Sequence, residues 1–168
     1  MPPSVNPLRQ QVIDRIATKL GTITAGADYW YTPGQVTKKF VHWAEAQLLS
    51  ADHPVYSVCN DSGGDLHLSG AQGVNSEFDE VFYLNVKGII AAVEDTSTVL
   101  ARALRDVRKA IDDDWVTQTT GALGTLDGVQ RVEIVDGAET DNGYLSVENK
   151  GFFEQRIKVT LCGKYQDL

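Results

Sequence analysis

Glu77-Phe-Asp-Glu-Val-Phe-Tyr-Leu-Asn-Val-Lys-Gly-Ile-Ile90 is the longest β-strand pattern in the chain. Along its centre Phe82, Leu84 and Val86 alternate with Tyr83, Asn85 and Lys87. Because successive side chains of a strand point to opposite faces of a sheet, this alternation predicts a strand over residues 77–90.

Several other stretches are expected to contribute to the same sheet. Further extended segments are predicted at 29–32, 35–37, 54–59, 129–135 and 152–162. The first two flank a Pro33-Gly34 turn. In the last segment, one side is expected to carry Phe153, Gln155, Ile157, Val159 and Leu161, and the other Arg156, Lys158 and Thr160.

Two amphipathic helices are predicted from apolar residues that recur at helical spacing. The first covers 7–20, with Asn6 as its cap, Pro7 in its first position and Gly21 at its C-terminal stop. The second runs from Val99 to Ile111 and can be capped by Asp95, Thr96 or Ser97. A short third helix over 40–48 is also predicted.

The order of these elements predicts an α+β fold, a mostly antiparallel β-sheet with two main α-helices packed on one face. Residues 60–76 and 116–128 are expected to form long loops, and a polar stretch at 136–151 separates the last two strands. Long loops in a compact domain are often functional. The whole chain, 1–168, is expected to form a single domain that begins with an irregular, proline-rich arm at 1–7.

Composition narrows the classes of function. The chain has 168 residues, with 15 basic and 23 acidic side chains and a formal charge of −8. An anionic surface repels phosphate backbones, which disfavours broad nucleic-acid binding. No apolar run approaches a membrane span, and no signal peptide is recognised, so a soluble cytoplasmic product is expected. Cys59 and Cys162 are expected to be reduced core residues, with a disulfide between them as the minor alternative.

One loop resembles a catalytic motif. Asp61-Ser-Gly-Gly64 is similar to the nucleophile loop of trypsin-like serine proteases, in which serine needs a general base and oxyanion donors. The available bases are His42, His53 and His67. Asn60 and Asp65 depart from the residues expected on either side of the motif. A turn-rich loop is therefore the favoured interpretation, and a hydrolase that uses Ser62 is the remote one.

Two groups of side chains raise the question of a metal ion. His42, His53, Cys59 and His67 lack the close ligand spacing of zinc sites. The run Asp112-Asp113-Asp114 is similar to acidic clusters that hold Mg²⁺ or Mn²⁺. Negative charge there opposes the helix macrodipole, which suggests an external partner or a helix that ends early. A solvated helix end is favoured, and we expect no metal or other cofactor.

The second helix carries a basic stripe formed by Arg102, Arg105, Arg108 and Lys109. It opposes the apolar stripe and is interpreted first as a solvated face. The functional alternative is a docking face for an acidic neighbour, such as the Asp112–Asp114 segment of another copy in a ring. Contact with passing DNA is a weaker alternative.

An aromatic cluster gathers five of the fourteen aromatic residues into fifteen positions: Tyr29, Trp30, Tyr31, Phe40 and Trp43. Adjacent side chains of an extended segment alternate sides, so at least one of the first three is expected to point outward. Exposed Tyr and Trp are frequent interface anchors. Core packing and an interface role both remain open for this cluster.

Taken in order, these segments resemble the tail terminator proteins of long-tailed bacteriophages and their minor-tail relatives. The resemblance spans roughly 8–162 and is carried by order, length and short phrases. These phrases are Leu20-Gly21, Tyr31-Thr-Pro-Gly-Gln-Val36, Pro54-Val-Tyr-Ser-Val58, Leu84-Asn-Val-Lys-Gly88 and Asp106-Val-Arg-Lys-Ala-Ile111.

The resemblance implies a virion protein without catalytic residues that forms a hexameric ring on the head-proximal end of the tail tube. Such a ring stops tube polymerisation and offers a surface for head–tail joining. The implied partners are the tail tube protein and a neck or head-completion protein, with no membrane and with DNA only as cargo in the lumen. Assembly would take place in the host cytoplasm. A head-completion or neck connector ring is the alternative within the same class.

Overall fold

The computed structural model describes residues 7–39, 53–61, 67–70, 77–91, 95–116, 126, 128–140 and 150–164. In this part of the chain lie two helices, α1 (Leu8–Gly21) and α2 (Thr96–Val116). The strands there are β1 (Gln35–Thr37), β2 (Val55–Asn60), β3 (His67–Gly70), β4 (Glu77–Ala91), β5 (Val129–Thr140) and β6 (Lys150–Lys164).

The strand predicted over 77–90 is the centre of the sheet. The strands follow the order β1-β2-β4-β6-β5, and β3 pairs with β4 beyond the end of β2. In register, Val86 of β4 lies opposite Val58 of β2 and Gln155 of β6. Only β1 and β2 pair in parallel among these strands. The predicted α+β fold with a mostly antiparallel sheet is confirmed.

Both helices pack on one face of the sheet, which we call the inner face. Its side chains form one apolar cluster with the buried stripes of α1 and α2. The predicted alternation of β6 is confirmed, because Phe153, Gln155, Ile157, Val159 and Leu161 are all buried. Phe153 fills the space above Gly88, where an added Cβ would lie 2.2 Å from the ring. Glycine at this position therefore lets the largest inner-face side chain of β6 lie flat on β4.

Helix α1 forms because its apolar residues lie on one stripe, and Leu8, Val12, Ile13, Ile16 and Leu20 are buried. The helix begins at Leu8, so Pro7 occupies the cap and not the first helical position, and it makes no side-chain capping bond. The predicted cap Asn6 lies outside the described residues. Gly21 is the last helical residue, and the amides of Thr22 and Ile23 close the end by donating to the carbonyls of Lys19 and Leu20, respectively.

Helix α2 is longer than the predicted span from Val99 to Ile111. Asp95 caps it, because its carboxylate accepts the Ser97 amide at 3.3 Å and the Thr98 hydroxyl at 3.0 Å. The helix continues to Val116, past the aspartate run, which excludes the alternative of a helix that ends early there.

Several extended segments differ from their predictions. Residues 29–32 form no strand, because the amides of Trp30 and Tyr31 bond to the side chain of Asp106 on α2. The predicted loop at 60–76 contains β3, which backbone pairing with β4 stabilises despite few apolar residues. Strands β5 and β6 both extend into the predicted polar stretch at 136–151. The predicted helix at 40–48 and the predicted loops at 62–66, 71–76 and 117–125 lie outside the described residues.

Neither Cys59 nor Cys162 forms a disulfide. Cys59 lies opposite Asn85, which pairs with Arg156 on β6. Cys162 is six residues further along β6, a distance of about 20 Å in a strand. A disulfide needs Cα atoms closer than about 7 Å, so the sheet excludes this bridge. Cys59 is buried as predicted, whereas Cys162 is only half-buried.

Neither α1 nor α2, the two helices that the structure describes, meets the length and hydropathy that a membrane-crossing helix requires.

Candidate interaction surface on helix α2

A buried aspartate on α2 holds the segment that carries the first three aromatic residues. The amides of Trp30 and Tyr31 both donate to Oδ2 of Asp106, at 2.7 and 3.0 Å. Asp106 is fully buried, and burial raises the pKa of its carboxyl group, although these two hydrogen bonds and Arg105 oppose that effect. A carboxylate that accepts two backbone donors fixes the path of the chain between them.

Further side chains of α2 hold the same segment from either side. The guanidinium of Arg105 donates to the carbonyl of Asp28 at 2.8 Å. The hydroxyl of Tyr29 donates to Asp113 at 3.2 Å, and Lys109 donates to the same carboxylate at 2.8 Å. Positions 105, 106, 109 and 113 share one side of a helix, which explains how one helix makes all these contacts.

The ionisation of the Tyr29–Asp113–Lys109 group follows from these contacts. Burial and the neighbouring carboxylate of Asp113 raise the pKa of Tyr29 to about 12. Burial alone would raise the pKa of Asp113, but the hydrogen bond and charge of Lys109 outweigh it and lower that pKa. Asp113 therefore stays ionised as an acceptor in this junction through ordinary pH.

Trp30 points outward from the segment. Its side chain is 53% exposed, and it is the only large hydrophobic residue so exposed in the described ranges. The guanidinium of Arg102 lies 4.3 Å from the centre of the indole ring. Tyr29 and Tyr31 pack against the core instead, which confirms the prediction that at least one of the three would face outward. We call Trp30, Arg102 and Arg105 the Trp30 platform.

The three consecutive aspartates point to different partners. Asp112 is exposed, and Asp113 belongs to the tyrosine junction. Asp114 is buried and accepts both Nε and Nη2 of Arg15, at 3.0 and 2.8 Å, which ties α2 to α1. Within the described residues, no group of three or more His, Cys, Asp or Glu side chains could hold a metal ion. The charges of Arg15 and Lys109 offset the opposition between this run and the helix macrodipole.

The predicted basic stripe is divided between two tasks. Arg102, Arg105 and Lys109 contact the aromatic segment, whereas Nε of Arg108 donates to Oε1 of the buried Gln155 at 2.6 Å. The Gln155 amide in turn donates to the carbonyl of Arg156 at 2.9 Å. Arg108 therefore joins α2 to the sheet.

The aromatic segment and the basic stripe meet within one chain. The sequence left an interface role open for each of them separately, and the structure brings Tyr29 and Trp30 directly against Lys109 and Arg102. They form one composite surface. Phe40 and Trp43, the other members of the aromatic cluster, lie outside the described residues.

Sequence reasoning missed the residue that organises this surface. Asp106 lies in line with Ala103, Val107 and Ala110, all of which are fully buried. An acidic residue on the apolar stripe of an amphipathic helix must find hydrogen-bond donors, and that position was the available signal. The donors themselves are backbone amides, which no sequence pattern distinguishes.

A third buried carboxylate, after Asp106 and Asp114, lies on β4. Glu80 is 1% exposed and pairs through Oε1 with Arg9, whose guanidinium lies 5.1 Å above the ring of Phe82. Burial lowers the pKa of Arg9. The pair fixes the start of α1 against β4.

The residues of the suggested hydrolase are not assembled by the described part of the chain. Ser62 and His42 lie outside it, His53 is exposed, and His67 is described only as a backbone position of β3. Cys59 is buried beside the carbonyl of Asn85, with its Sγ 3.8 Å from that oxygen, and burial raises the pKa of the thiol. A protonated thiol is a poor nucleophile.

The sequence was also compared with known proteins. No model of a known protein family matches this chain, and no curated protein sequence matches it.

Proposed function

We propose that this protein is a structural virion component that forms a ring, of six copies, on the head-proximal end of a phage tail tube. In this role it terminates tube polymerisation and provides the surface for head–tail joining. The partners are further copies of the chain, the tail tube protein and a neck protein, and DNA passes through the lumen as cargo. The proposal begins from the resemblance in the order and phrases of the sequence.

One structural observation carries the proposal. The polar side chains gathered around α2, Asp106 above all, are engaged in holding a surface segment whose tip is an exposed tryptophan. Catalytic sites instead direct polar groups toward the place where a substrate reacts. A surface segment fixed by buried charge suits a protein that works by contact.

The arrangement of the sheet also supports an assembly role. Strand β5 lies at the edge of the sheet order and is 12 residues long. Long edge strands are sites where further chains add to a sheet. In an assembly, such an edge strand can pair with a strand of another chain.

The test is to add the purified protein to the tail tube protein of the same phage while tubes polymerise. We expect electron microscopy to show growth halted at one end, with labelled protein at that end only. An unrelated acidic protein of similar mass is the control. Tubes that lengthen equally with and without this protein would contradict the proposal. Label on filled heads instead of tubes would favour the neck connector alternative.

A chemical test addresses the remote hydrolase alternative. We expect a panel of activated esters to be hydrolysed no faster by the wild-type protein than by the Ser62→Ala variant. An activity that the wild type has and this variant lacks would contradict a purely structural role.

A further inference from the structure

The Trp30 platform has the composition of an interface centre. Tryptophan and arginine are the residue types most enriched among those that dominate binding energy. We infer that a second copy of this chain docks on the platform, with Trp30 as the anchor that becomes buried. This inference rests on the proposed function, because it assigns a surface to the contact between ring subunits.

The platform is fixed before any partner arrives. Two hydrogen bonds to Asp106 hold the backbone on either side of the indole, and Arg102 lies over one face of its ring. The bond from Arg105 to the carbonyl of Asp28 holds the preceding turn. Ordering a flexible segment opposes association, so a segment that is already ordered binds more tightly through the same contacts.

The local charge favours a copy of this chain as the occupant. The charged side chains in or against the 28–31 segment balance, with Arg102, Arg105 and Lys109 matched by Asp28, Asp106 and Asp113. The whole chain carries −8, so two copies repel each other over most of their surfaces. Contact through a balanced surface with an exposed apolar side chain meets the least repulsion.

The same balance argues against a nucleic acid as the occupant. Binding to a phosphate backbone needs a surplus of positive charge that releases counterions, and the surroundings of Trp30 have no such surplus. The two occupants differ in their response to salt. Salt screens the repulsion between two anionic copies and strengthens their contact, whereas it weakens binding to a polyanion.

The experiment measures self-association by sedimentation velocity over a concentration series, for the wild type, Trp30→Ala and Tyr83→Ala. Tyr83 is the matched control, because it too lies under an arginine, with the guanidinium of Arg156 4.1 Å from its ring centre, but on the opposite face of the sheet. Circular dichroism confirms that each variant is folded. Each protein is measured at about 50 mM and about 500 mM NaCl, and with an added single-stranded oligonucleotide.

We expect the wild type and Tyr83→Ala to associate alike, and Trp30→Ala to associate about thirtyfold more weakly. Association of the wild type strengthens at the higher salt concentration. Equal association of Trp30→Ala and the wild type would overturn the inference while leaving the ring intact. Oligonucleotide binding that Trp30→Ala abolishes would also overturn it. A wild type that stays monomeric at every concentration, and also with the tube protein, would overturn both the inference and the proposed function.

Discussion

Two arginine–aromatic pairs lie on opposite sides of this molecule, and they differ in what surrounds them. On the outer face of the sheet, Arg156 lies over Tyr83 and also forms an ion pair with Asp61 at 2.7 Å. On α2, Arg102 lies over Trp30, whose ring is half exposed. On the outer face, the arginine–aromatic contact is therefore accompanied by an ion pair. On α2, the same kind of contact leaves the aromatic residue half exposed to solvent.

Neighbouring groups explain the difference. The outer face continues as a series of ion pairs, with Lys87 to Glu154 at 3.1 Å and Lys158 to Glu133 at 3.5 Å. Such pairs satisfy one another in solvent and contribute little to stability individually. Around Trp30, the acid nearest the backbone is buried beneath the segment and holds it in place. Exposure of an aromatic residue is thus a consequence of where the fold places its carboxylates.

The largest effect on stability is expected from a substitution in the core that lies beneath both surfaces. Phe153→Ala deletes a fully buried ring that packs over Gly88. We expect the free energy of unfolding to fall by about 3–5 kcal/mol, because a cavity adds to the lost burial. Urea unfolding measures this loss. Trp30→Ala, which removes an exposed aromatic, should change stability by less than about 0.5 kcal/mol. Similar losses in the two variants would contradict the distinction between core and platform.

The second-largest effect is expected from removing the hydrogen bonds that attach the Trp30 platform to α2. Asp106→Ala leaves the amides of Trp30 and Tyr31 without their acceptor, so we expect about 2 kcal/mol of destabilisation. Hydrogen exchange should show these two amides losing protection while the β4–β6 amides keep theirs. Asp112→Ala, an exposed neighbour on the same helix, is the control and should be close to neutral. Unchanged protection of the Trp30 amide in Asp106→Ala would show that other contacts hold the segment.

A smaller effect is expected on the outer face. Arg156→Ala removes the ion pair with Asp61 and the contact with Tyr83, both partly exposed, so unfolding should be easier by about 1 kcal/mol. Arg131, which is 67% exposed and pairs with Glu133 at 2.7 Å, provides the control substitution Arg131→Ala. Chemical denaturation of the two variants tests this. Neither substitution should alter self-association, and a loss of association in Arg156→Ala would move the interface to the sheet.

The smallest expected effect is on the pH dependence of folding stability. The carboxylates of Asp106 and Asp113 contribute to it with opposite signs. The pKa of Asp106 is raised in the folded protein, so the native state binds its proton more tightly than the unfolded chain does. Its contribution to stability therefore rises as the pH falls from neutral through that raised pKa. The pKa of Asp113 is lowered, so its contribution is present above the ordinary pKa of aspartate and is lost as the pH falls below it.

Urea unfolding of the wild type, Asp106→Asn and Asp113→Asn from about pH 7 down to about pH 3, which is below the ordinary pKa of aspartate, checks these signs. The asparagine side chain of Asp106→Asn cannot take up a proton. The free energy of unfolding of the wild type should therefore exceed that of Asp106→Asn by a growing amount as the pH decreases. Asp113→Asn should instead approach the wild type below the ordinary aspartate pKa. A gap between the wild type and Asp106→Asn that shrinks on acidification would contradict the assignment for Asp106.

Periodicity predicted the elements that the apolar core stabilises. The alternation in β4 and β6 and the stripes of α1 and α2 follow directly from burial against one shared inner face. Strand β3 escaped prediction because backbone pairing with β4, which has no residue signature, accounts for its position. The ends of β5 and β6 were missed for the same reason.

The surface on α2 was predicted in its parts but not in its assembly. The aromatic residues at 29–31 and the basic stripe were recognised separately, the stripe first as a solvated face and the aromatic residues as either core or interface, and their contact with each other was not predicted. Long-range contacts such as those of Asp106 with Trp30, 76 residues apart, depend on how the chain folds back on itself. The spacing of residues within one helix or strand does not predict which distant segment will pack against it.

The central proposal is that copies of this protein join into a ring on the head-proximal end of a tail tube. Native mass spectrometry of the complex that it forms with the tube protein tests this claim most directly. The account predicts six copies of this chain in every complex, and loss of the complex in Trp30→Ala but not in Tyr83→Ala. One copy per complex, or no complex at any concentration, would contradict it.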